Sequence, residues 1–306
     1  VDWGAPLAAN GTDAWGAYWR LKLLPNSTQI PFIVHNGGTK DPSDKDQFLD
    51  LAATGGEVWF KSGEKNSDGY VDYVAPVPSK LQADLKHAKA IWLNSEVIAW
   101  PDVLTTEKAY LYVSATASLK VDDAGISGED AFYPLTKVAG MATPLAQANP
   151  FIKYYSTLAV PPIAAGNAAV LAKGQLAVMI TDNTGAPLRI TGVQTGILLD
   201  SLYPTAKNIT PGVTWNGDVP TITVWGPTAT SMQLELFDNA TGGSPTVSDM
   251  TLDPGTGAWS ITGTADWKNK YYLFKAHVFA PSVAQMVTNE TTDPYSFSLS
   301  MNGLRS

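Results

Sequence analysis

Apolar and polar residues alternate over short stretches of this chain, which is the pattern of β-strands with one buried face. The alternation is clear at residues 18–23, and apolar runs of strand length follow at 30–35, 57–61 and 109–114. Further strand-like runs lie near the end of the chain, at 221–224, 231–237, 258–262 and 270–279. Clusters of Pro, Gly, Asn and Asp separate these runs, so the pattern predicts a mainly β protein.

Helical spacing is confined to a few short segments. Leu81, Leu85 and Ala88 recur at helical intervals within residues 79–89, and Ser79 is a suitable N-cap for a helix there. Two more short helices are predicted, at residues 164–172 after a Pro-Pro pair and at 197–203 before a proline. Helix is therefore expected to be a minority.

Two breaks in the periodic pattern predict domain boundaries. One is the Pro-flanked segment 76–79, and the other is the polar, turn-rich segment 205–212 (TAKNITPG). They divide the chain into modules at 1–78, 79–206 and 207–306. The predicted fold is three consecutive antiparallel β-sandwich-type modules with a few short helices.

Composition narrows the classes of function. The chain has 306 residues and is 44% hydrophobic, which is enough for each module to bury a core. A net charge of -8 argues against a nucleic-acid partner, because phosphate binding needs clustered Lys and Arg. No apolar run is long enough for a membrane span, and the first residues do not have the pattern of a signal peptide.

The sequence does not contain the usual pattern of metal-binding residues. Cys is absent, and the three histidines, His35, His87 and His277, are far apart in sequence, so no metal site or cofactor is predicted. Calcium stays open as an alternative. Asp41, Asp44 and Asp46 supply oxygen donors in one loop, although they match no recognised calcium-loop pattern.

Three motifs near the end of the chain carry a family resemblance. They are Val-Trp-Gly-Pro-Thr-Ala at 224–229, Tyr-Tyr-Leu-Phe at 271–274 and Asp-Pro-Tyr-Ser at 293–296. In this order and spacing they resemble the β-sandwich module that precedes the catalytic barrel of pullulanase-type starch-debranching enzymes. Residues 30–51 (IPFIVHNGGTKDPSDKDQFLDL) resemble the latter half of the pullulanase-associated starch-binding module. The resemblance covers residues 12–60 and 213–306. Between these ranges it is weak and rests mostly on the position of the segment in the chain.

The resemblance implies a partner, a location and a missing domain. The partners would be α-glucans, namely pullulan, starch, glycogen and maltooligosaccharides, and the parent enzyme would be secreted. The chain starts within the starch-binding pattern and stops where the catalytic barrel would begin. It is therefore expected to be a non-catalytic N-terminal region of such an enzyme. A surface around Trp225, Tyr295 and Phe297 would pack against that barrel.

Lys40 and Asp46 match the family positions that reach a bound glucan, so the resemblance implies glucan-binding roles for them. The alternative is that both belong to a solvated turn with surface ion pairs, each worth about 0 to 1 kcal/mol. Gly37 and Gly38 stand where some family members place a stacking Trp.

Aromatic residues are the other candidates, because sugar rings stack on aromatic planes. Trp259 and Trp267 lie in turn-rich sequence and are candidate stacking residues of the last module. Trp15 and Trp19 are expected to belong to a core instead. Trp225 is expected either to close the sandwich core, which is favoured, or to cap the edge of the sandwich.

No catalytic residue is predicted. Glycosidases place two carboxylates across the scissile bond, and the barrel signatures that supply them in debranching enzymes do not occur in this sequence. Three other interpretations stay open: a stand-alone extracellular glucan-binding or adhesion protein, a structural spacer, and a hydrolase with its own site in the middle module.

Overall fold

The structure is a computed structural model and describes residues 4–13, 16–24, 26–51, 58–73, 81–101 and 103–306. The chain divides into two units, Val1–Ser79 and Lys80–Ser306. Strands far outnumber helices, which confirms the mainly β class. The predicted roles of Trp15 and Ser79 and the predicted boundary at 76–79 lie outside the described residues.

The first unit is built from short antiparallel strand pairs. The pairs are β1 (Gly11–Asp13) with β2 (Gly16–Tyr18), β3 (Gln29–Phe32) with β6 (Gln47–Asp50), β4 (Val34–Asn36) with β5 (Thr39–Asp41), and β7 (Phe60–Lys65) with β8 (Val71–Tyr73). The strand predicted at 18–23 is wrong beyond Tyr18, because residues 19–24 are in no strand.

A buried amide links two of these pairs. Gln47 on β6 is fully buried; its Nε2 donates to the carbonyl of Lys45 at 3.0 Å, and its Oε1 accepts the N–H of Val71 on β8 at 2.7 Å. A buried amide is tolerated only when its polar atoms have partners. Gln47 therefore fixes the end of the 42–46 loop against β8.

Over residues 81–101 and 103–208, the second unit contains ten strands and four helices. The strands are β9 (Gln82–Asp84), β10 (Ala90–Asn94), β11 (Val97–Trp100), β12 (Lys108–Ser114), β13 (Lys120–Asp122), β14 (Gly125–Ser127), β15 (Ala131–Val138), β16 (Ser156–Ala159), β17 (Gln175–Thr181) and β18 (Pro187–Gln194). The helices are α1 (Thr143–Ala148), α2 (Pro162–Ala165), α3 (Ala168–Leu171) and α4 (Gly196–Leu202), and 3-10 turns occur at Pro150–Ile152 and Ala206–Asn208. The helix predicted at 197–203 is confirmed, and the one predicted at 164–172 is present as two four-residue helices, α2 and α3.

Seven of these strands form one sheet that closes on itself, in the order β10-β11-β16-β15-β12-β17-β18 and back to β10. Neighbours are antiparallel except that β18 runs parallel to β10 and to β9. We call this assembly the closed sheet. Its strands surround one core rather than forming two facing sheets, so the middle of the chain differs from the predicted sandwich in architecture while keeping the predicted β class.

Apolar side chains from alternate strand positions fill the closed sheet, because successive residues of a strand point to opposite faces. Trp92, Leu111 and Val178 lie in this core. Helices α2, α3 and α4 add small or branched side chains to the same core, namely Ala164, Ala168 and Leu198. The predicted helices thus contribute to the core that the closed sheet surrounds.

The helix predicted at 79–89 is wrong where the structure describes it. Residues 82–84 form β9 and pair in parallel with β18. Asp84 then turns the chain: its Oδ1 accepts the backbone N–H groups of Lys86 and His87 at 3.0 and 2.9 Å. Such side-chain to backbone bonds compete with helix formation. Leu81 and Leu85 pack on the outside of the closed sheet and not along a helix face.

The last part of the chain is a sandwich of two four-stranded antiparallel sheets. One sheet has the order β19 (Gly212–Asn216), β20 (Val219–Trp225), β24 (Ala258–Thr262) and β23 (Thr251–Asp253). The other has the order β22 (Thr246–Asp249), β21 (Ser231–Phe237), β25 (Tyr271–Ala280) and β26 (Gln285–Thr291). The four strands predicted in this region are confirmed, and Ile222, Leu234 and Phe274 lie in the core between the sheets.

Candidate functional site

The structure brings Lys40 and Asp46 together. Lys40 lies on β5 and Asp46 immediately precedes β6, and Lys40 Nζ donates to Asp46 Oδ1. The Lys40 side chain is 23% exposed and that of Asp46 is 59% exposed, so the carboxylate is the more open end of the pair. An ion pair this accessible contributes little to stability, about 0 to 1 kcal/mol. It leaves both charged groups within reach of a ligand hydroxyl.

The loop around this pair is held by other side chains. Asp41 Oδ1 accepts the N–H of Gly63 at 2.6 Å, and Ser43 Oγ donates to the carbonyl of Gly69 at 2.6 Å. Lys45 Nζ lies 4.9 Å from the centre of the Tyr70 ring. Two of the three aspartates considered for calcium are therefore engaged within the protein. Among the described residues, no three acidic or histidine side chains group closely enough to hold a metal ion.

Trp259 does not offer a stacking face, and its prediction as a stacking residue needs correction. Its side chain is only 7% exposed and belongs to the core of the sandwich. Its Nε1 donates to the carbonyl of Gly226 at 2.9 Å. The glycine-rich sequence before it forms the turn, with Gly257 at φ 72°, and strand β24 begins at the next residue. Core packing takes up both faces of the ring.

Trp267 lies in a 3-10 turn (Ala265–Trp267) and is partly buried. Its ring packs against the sandwich core and lies directly over Gly263, where an added Cβ would come within 2.3 Å of the ring. The glycine therefore makes room for the tryptophan. Trp267 and Trp259 contact the same core and do not form a shared surface.

Other tryptophans are open to solvent. Trp215 on β19 is 51% exposed, and Trp19 and Trp225 are also exposed, so the core assignments of Trp19 and Trp225 are wrong. The alternation along β20 could have identified Trp225 as an exposed residue. Successive residues of a strand point to opposite faces, and the buried positions of β20 are Pro220, Ile222 and Val224. Trp225 follows directly and therefore faces outward. Trp225 Nε1 donates to the carbonyl of Thr256 at 2.9 Å.

A cavity of about 440 Å³ lies on the outer face of the sheet that contains β21 and β25. Glu235 on β21 is buried at its wall and accepts a hydrogen bond from Lys275 Nζ at 3.2 Å. Glu290, Phe237 and Arg305 also line this cavity. Arg305 covers Phe237, with its guanidinium carbon 3.5 Å from the ring centre. The cavity combines carboxylates with aliphatic walls but has no open aromatic face at Phe237.

A second cavity, of about 410 Å³, opens at one end of the sandwich between its two sheets. Its lining is mostly apolar and includes Val224, Trp225, Met232, Phe274 and Pro294. Beyond Pro294 the chain carries a series of exposed apolar side chains: Tyr295, Phe297, Leu299, Met301 and Leu304. Pro294 thus joins the apolar cavity to the start of this exposed apolar segment.

Three families match successive parts of the sequence. They are the bacterial pullanase-associated domain over residues 1–67, the Pullulanase N2 domain over 87–201 and carbohydrate-binding module 48 (isoamylase N-terminal domain) over 211–296. Pullulanase from Klebsiella pneumoniae is 26% identical over 99% of this chain, and the match covers 27% of that protein. This chain is homologous to the N-terminal region of Klebsiella pullulanase.

A plant protein and a solved bacterial structure are also similar to this pullulanase N-terminal region. Pullulanase 1, chloroplastic, from Arabidopsis thaliana is 30% identical over 72% of this chain, and the match covers 22% of that protein. The crystal structure of Klebsiella pneumoniae pullulanase complexed with maltotriose superposes over 100% of this chain with 25% identity and a TM-score of 0.68, and 28% of its chain is covered. The chain therefore spans about a quarter of the length of its relatives.

The carbohydrate-binding module of this pullulanase N-terminal region is the β-sandwich described above. No helix in the described part of the chain has the length and apolar character needed to cross a bilayer.

Tyr272 gives the sandwich of this pullulanase N-terminal region a pH dependence. Its hydroxyl donates to Asp293 Oδ2 at 2.6 Å, and burial together with this bond raises the pKa of the phenol above its ordinary value of about 10. A raised folded-state pKa contributes stability below pH 10 that is lost as the pH rises. We expect the free energy of unfolding to fall by about 1.4 kcal/mol per pH unit above 10 for this group.

Replacing Tyr272 by Phe should flatten that alkaline slope, measured by denaturant unfolding between pH 9 and 12. The matched control is Tyr271→Phe, on the same strand with its side chain on the opposite face. Equal slopes in the native chain and in Tyr272→Phe would show that this phenol does not control the alkaline behaviour.

Proposed function

We propose that this chain is the non-catalytic, α-glucan-binding part of a secreted pullulanase-type enzyme that hydrolyses α-1,6 branch bonds in pullulan, starch or glycogen. The observation that carries the proposal is the order of the three family matches along the chain. The proposed modules are 1–78, 79–206 and 207–306. They would hold glucan near a catalytic barrel and so raise its effective concentration there.

The described carboxylates support a binding role and not a catalytic one. Hydrolysis of a glycosidic bond needs one carboxyl group poised as an acid and a second free to act as base or nucleophile. The buried carboxylates described here have structural partners instead: Glu107 pairs with Arg189, Glu235 with Lys275, and Asp293 with Tyr272. We therefore place the chemistry in a part of the parent enzyme beyond these modules.

Lys40 and Asp46 are the proposed glucan contacts of the first module. A sugar hydroxyl can accept from an ammonium and donate to a carboxylate at the same time. The Lys40–Asp46 pair presents that combination at one point on the surface. Trp267 is the proposed stacking residue of the last module, since its ring is partly exposed beside Gly263.

The sandwich would also stabilise the catalytic barrel by packing against it. Tyr295, Phe297 and Met301 are more than half exposed, and the apolar cavity beside Trp225 opens toward Pro294. An exposed apolar patch usually marks a protein interface, and these three side chains lie within seven residues of one another in the chain. A barrel covering them would remove this surface from water.

Isothermal titration of the whole chain with maltoheptaose and with a 6-branched glucosyl-maltooligosaccharide tests the binding role. Hydrogen bonds to charged groups are worth about 1.5–3 kcal/mol, so Lys40→Ala or Asp46→Ala should weaken binding about tenfold or more. Lys61→Ala and Glu64→Ala remove another exposed ion pair of the same unit, with N–O distance 3.3 Å, and should change affinity less than twofold.

The controls separate the possible failures. No heat of binding from the native chain with either sugar would contradict the proposed function. Binding that survives unchanged in Lys40→Ala and Asp46→Ala would keep glucan binding but reject this loop as its site.

A further inference from the structure

Three aromatic rings meet on the outer face of the closed sheet. Tyr110 and Tyr112 lie on β12, and Phe132 lies opposite Tyr112 on the neighbouring strand β15. The Phe132 ring is nearly parallel to that of Tyr112, with centres 5.5 Å apart and an interplanar angle of 22°. It meets Tyr110 edge-on, with centres 6.1 Å apart. We call these three residues the aromatic strip.

Burial is unequal within the aromatic strip. Tyr112 is only 8% exposed, whereas Phe132 is 52% exposed. Since one face of Phe132 lies against Tyr112, the exposed area belongs to the other face and to the ring edge. The tyrosine beneath holds the ring in place, so a flat aromatic surface is presented without loss of side-chain freedom on binding.

Polar groups surround the open ring. Burial raises the pKa of the Tyr112 phenol, and the charge of Glu129 and the phenol of Tyr110 raise it further. Glu129 lies two residues before the start of β15, next to Asp130, whose N–H donates to the Val113 carbonyl of β12 at 2.9 Å. Glu129 is itself partly exposed. The aromatic strip thus has an apolar plane with the phenols of two tyrosines, and a partly exposed carboxylate lies three residues before Phe132 in the chain.

The strand that carries Phe132 also has an open side. β15 pairs with β12 over residues 131–135, but it pairs with β16 only from Thr136 onward. Pro134, which has no N–H to donate, lies in this stretch and is exposed. No described strand therefore pairs with the β15 edge beside Phe132.

These observations favour a neutral sugar over other ligands. A pyranose has a weakly apolar face and a rim of hydroxyls, which matches one open ring with phenols and a carboxylate beside it. An anionic ligand would be repelled by Glu129. A stable protein interface needs about 800 Å² on each partner, far more than one half-exposed ring and a proline provide.

We propose that the aromatic strip is a further α-glucan contact, in which a glucose unit stacks on Phe132 and its hydroxyls bond to Glu129 and the neighbouring phenols. The inference rests on the proposed function for the choice of α-glucan as the sugar. It places a binding site in the middle part of the chain, separate from the Lys40–Asp46 pair.

The test is titration of the whole chain with maltoheptaose in a Lys40→Ala/Asp46→Ala background. Nuclear magnetic resonance spectra recorded during the titration measure the amide shifts of residues 108–114 and 131–135. Adding Phe132→Ala should weaken the remaining binding about tenfold and abolish the shifts. Phe132→Tyr keeps the ring and should stay within twofold. Phe151→Ala removes another exposed ring of the same unit, 68% exposed, and should also stay within twofold.

The outcomes distinguish this site from the general proposal. If the native chain binds maltoheptaose but Phe132→Ala leaves the affinity and the shifts unchanged, the aromatic strip is rejected and the proposed function stands. If the Lys40→Ala/Asp46→Ala background has no remaining binding, the aromatic strip is likewise rejected. If the native chain binds no glucan, both proposals fail.

Discussion

Replacing Trp259 by Ala should lower the free energy of unfolding of the sandwich by about 3–5 kcal/mol. The side chain is 7% exposed, packs in the core between the two sheets and donates to the carbonyl of Gly226. Truncation would leave a large cavity and remove one of the two hydrogen bonds to the Gly226 carbonyl, which also accepts the Ala229 N–H at 3.1 Å. Denaturant unfolding followed by circular dichroism measures the loss.

The matched control for this change is Trp215→Ala in the same sandwich. Trp215 lies on β19 and is 51% exposed, so its removal should change the free energy of unfolding by less than about 0.5 kcal/mol. Equal losses from the two variants would mean that Trp259 is not the core residue described here. Sugar binding by Trp259→Ala should match that of the native chain under conditions where the variant is folded.

The second large effect is expected from Arg305→Ala. Arg305 donates from Nη1 to the carbonyls of Asn239 and Gly242 at 2.5 and 2.9 Å, and its guanidinium lies over the Phe237 ring. Loss of two charge-assisted bonds and the ring contact should cost about 2–4 kcal/mol. The final residue should loosen as well, because Ser306 exchanges two backbone hydrogen bonds with Tyr272 beside it.

Hydrogen exchange at the Tyr272 and Ser306 amides, together with denaturant unfolding, measures this effect. Arg305→Lys keeps the charge but not the planar fork, so it should recover only part of the stability. Lys270→Ala is the control, since it removes a 3.0 Å ion pair with exposed Asp238, next to Asn239 in the chain, and should cost at most about 1 kcal/mol. An Arg305→Ala protein with native exchange rates would contradict the anchoring role of the guanidinium.

Alternation and turn residues were sufficient to predict the last part of the chain. Strands β20, β21, β24 and β25 fall where apolar residues recur at every second position, because each pairs with a neighbour across a buried face. The short helices near Ala164 and Leu198 were also predictable from Pro positions and apolar spacing. Local patterns suffice wherever burial follows the strand or helix period.

Long-range pairing explains what the sequence could not show. Leu81 and Leu85 have helical spacing, but residues near them pair with β18 more than a hundred positions away, as in the 2.8 Å bond from the Lys89 N–H to Thr191 Oγ1. The closure of the middle sheet depends on the same strand. No local period carries that information, so a helix and a sandwich were predicted there instead.

The candidate site shows the same division between local and long-range information. The Lys40–Asp46 pair spans a short loop, and its two residues were identified from one continuous motif. Trp259 was misplaced because its glycine-rich flank suggested a loop, although the turn ends at Gly257. The aromatic strip joins Tyr112 to Phe132 across two strands, and its partly exposed ring follows from strand register, which the sequence alone does not specify.

The central claim is that this chain binds α-glucans without hydrolysing them. Its most direct test is native gel electrophoresis of the chain in gels that contain pullulan, amylopectin or dextran. Strong retardation in pullulan and amylopectin, with native mobility in dextran and no release of reducing sugar, is the predicted result. Equal mobility in all three gels, or hydrolysis of pullulan by the chain alone, would contradict the account.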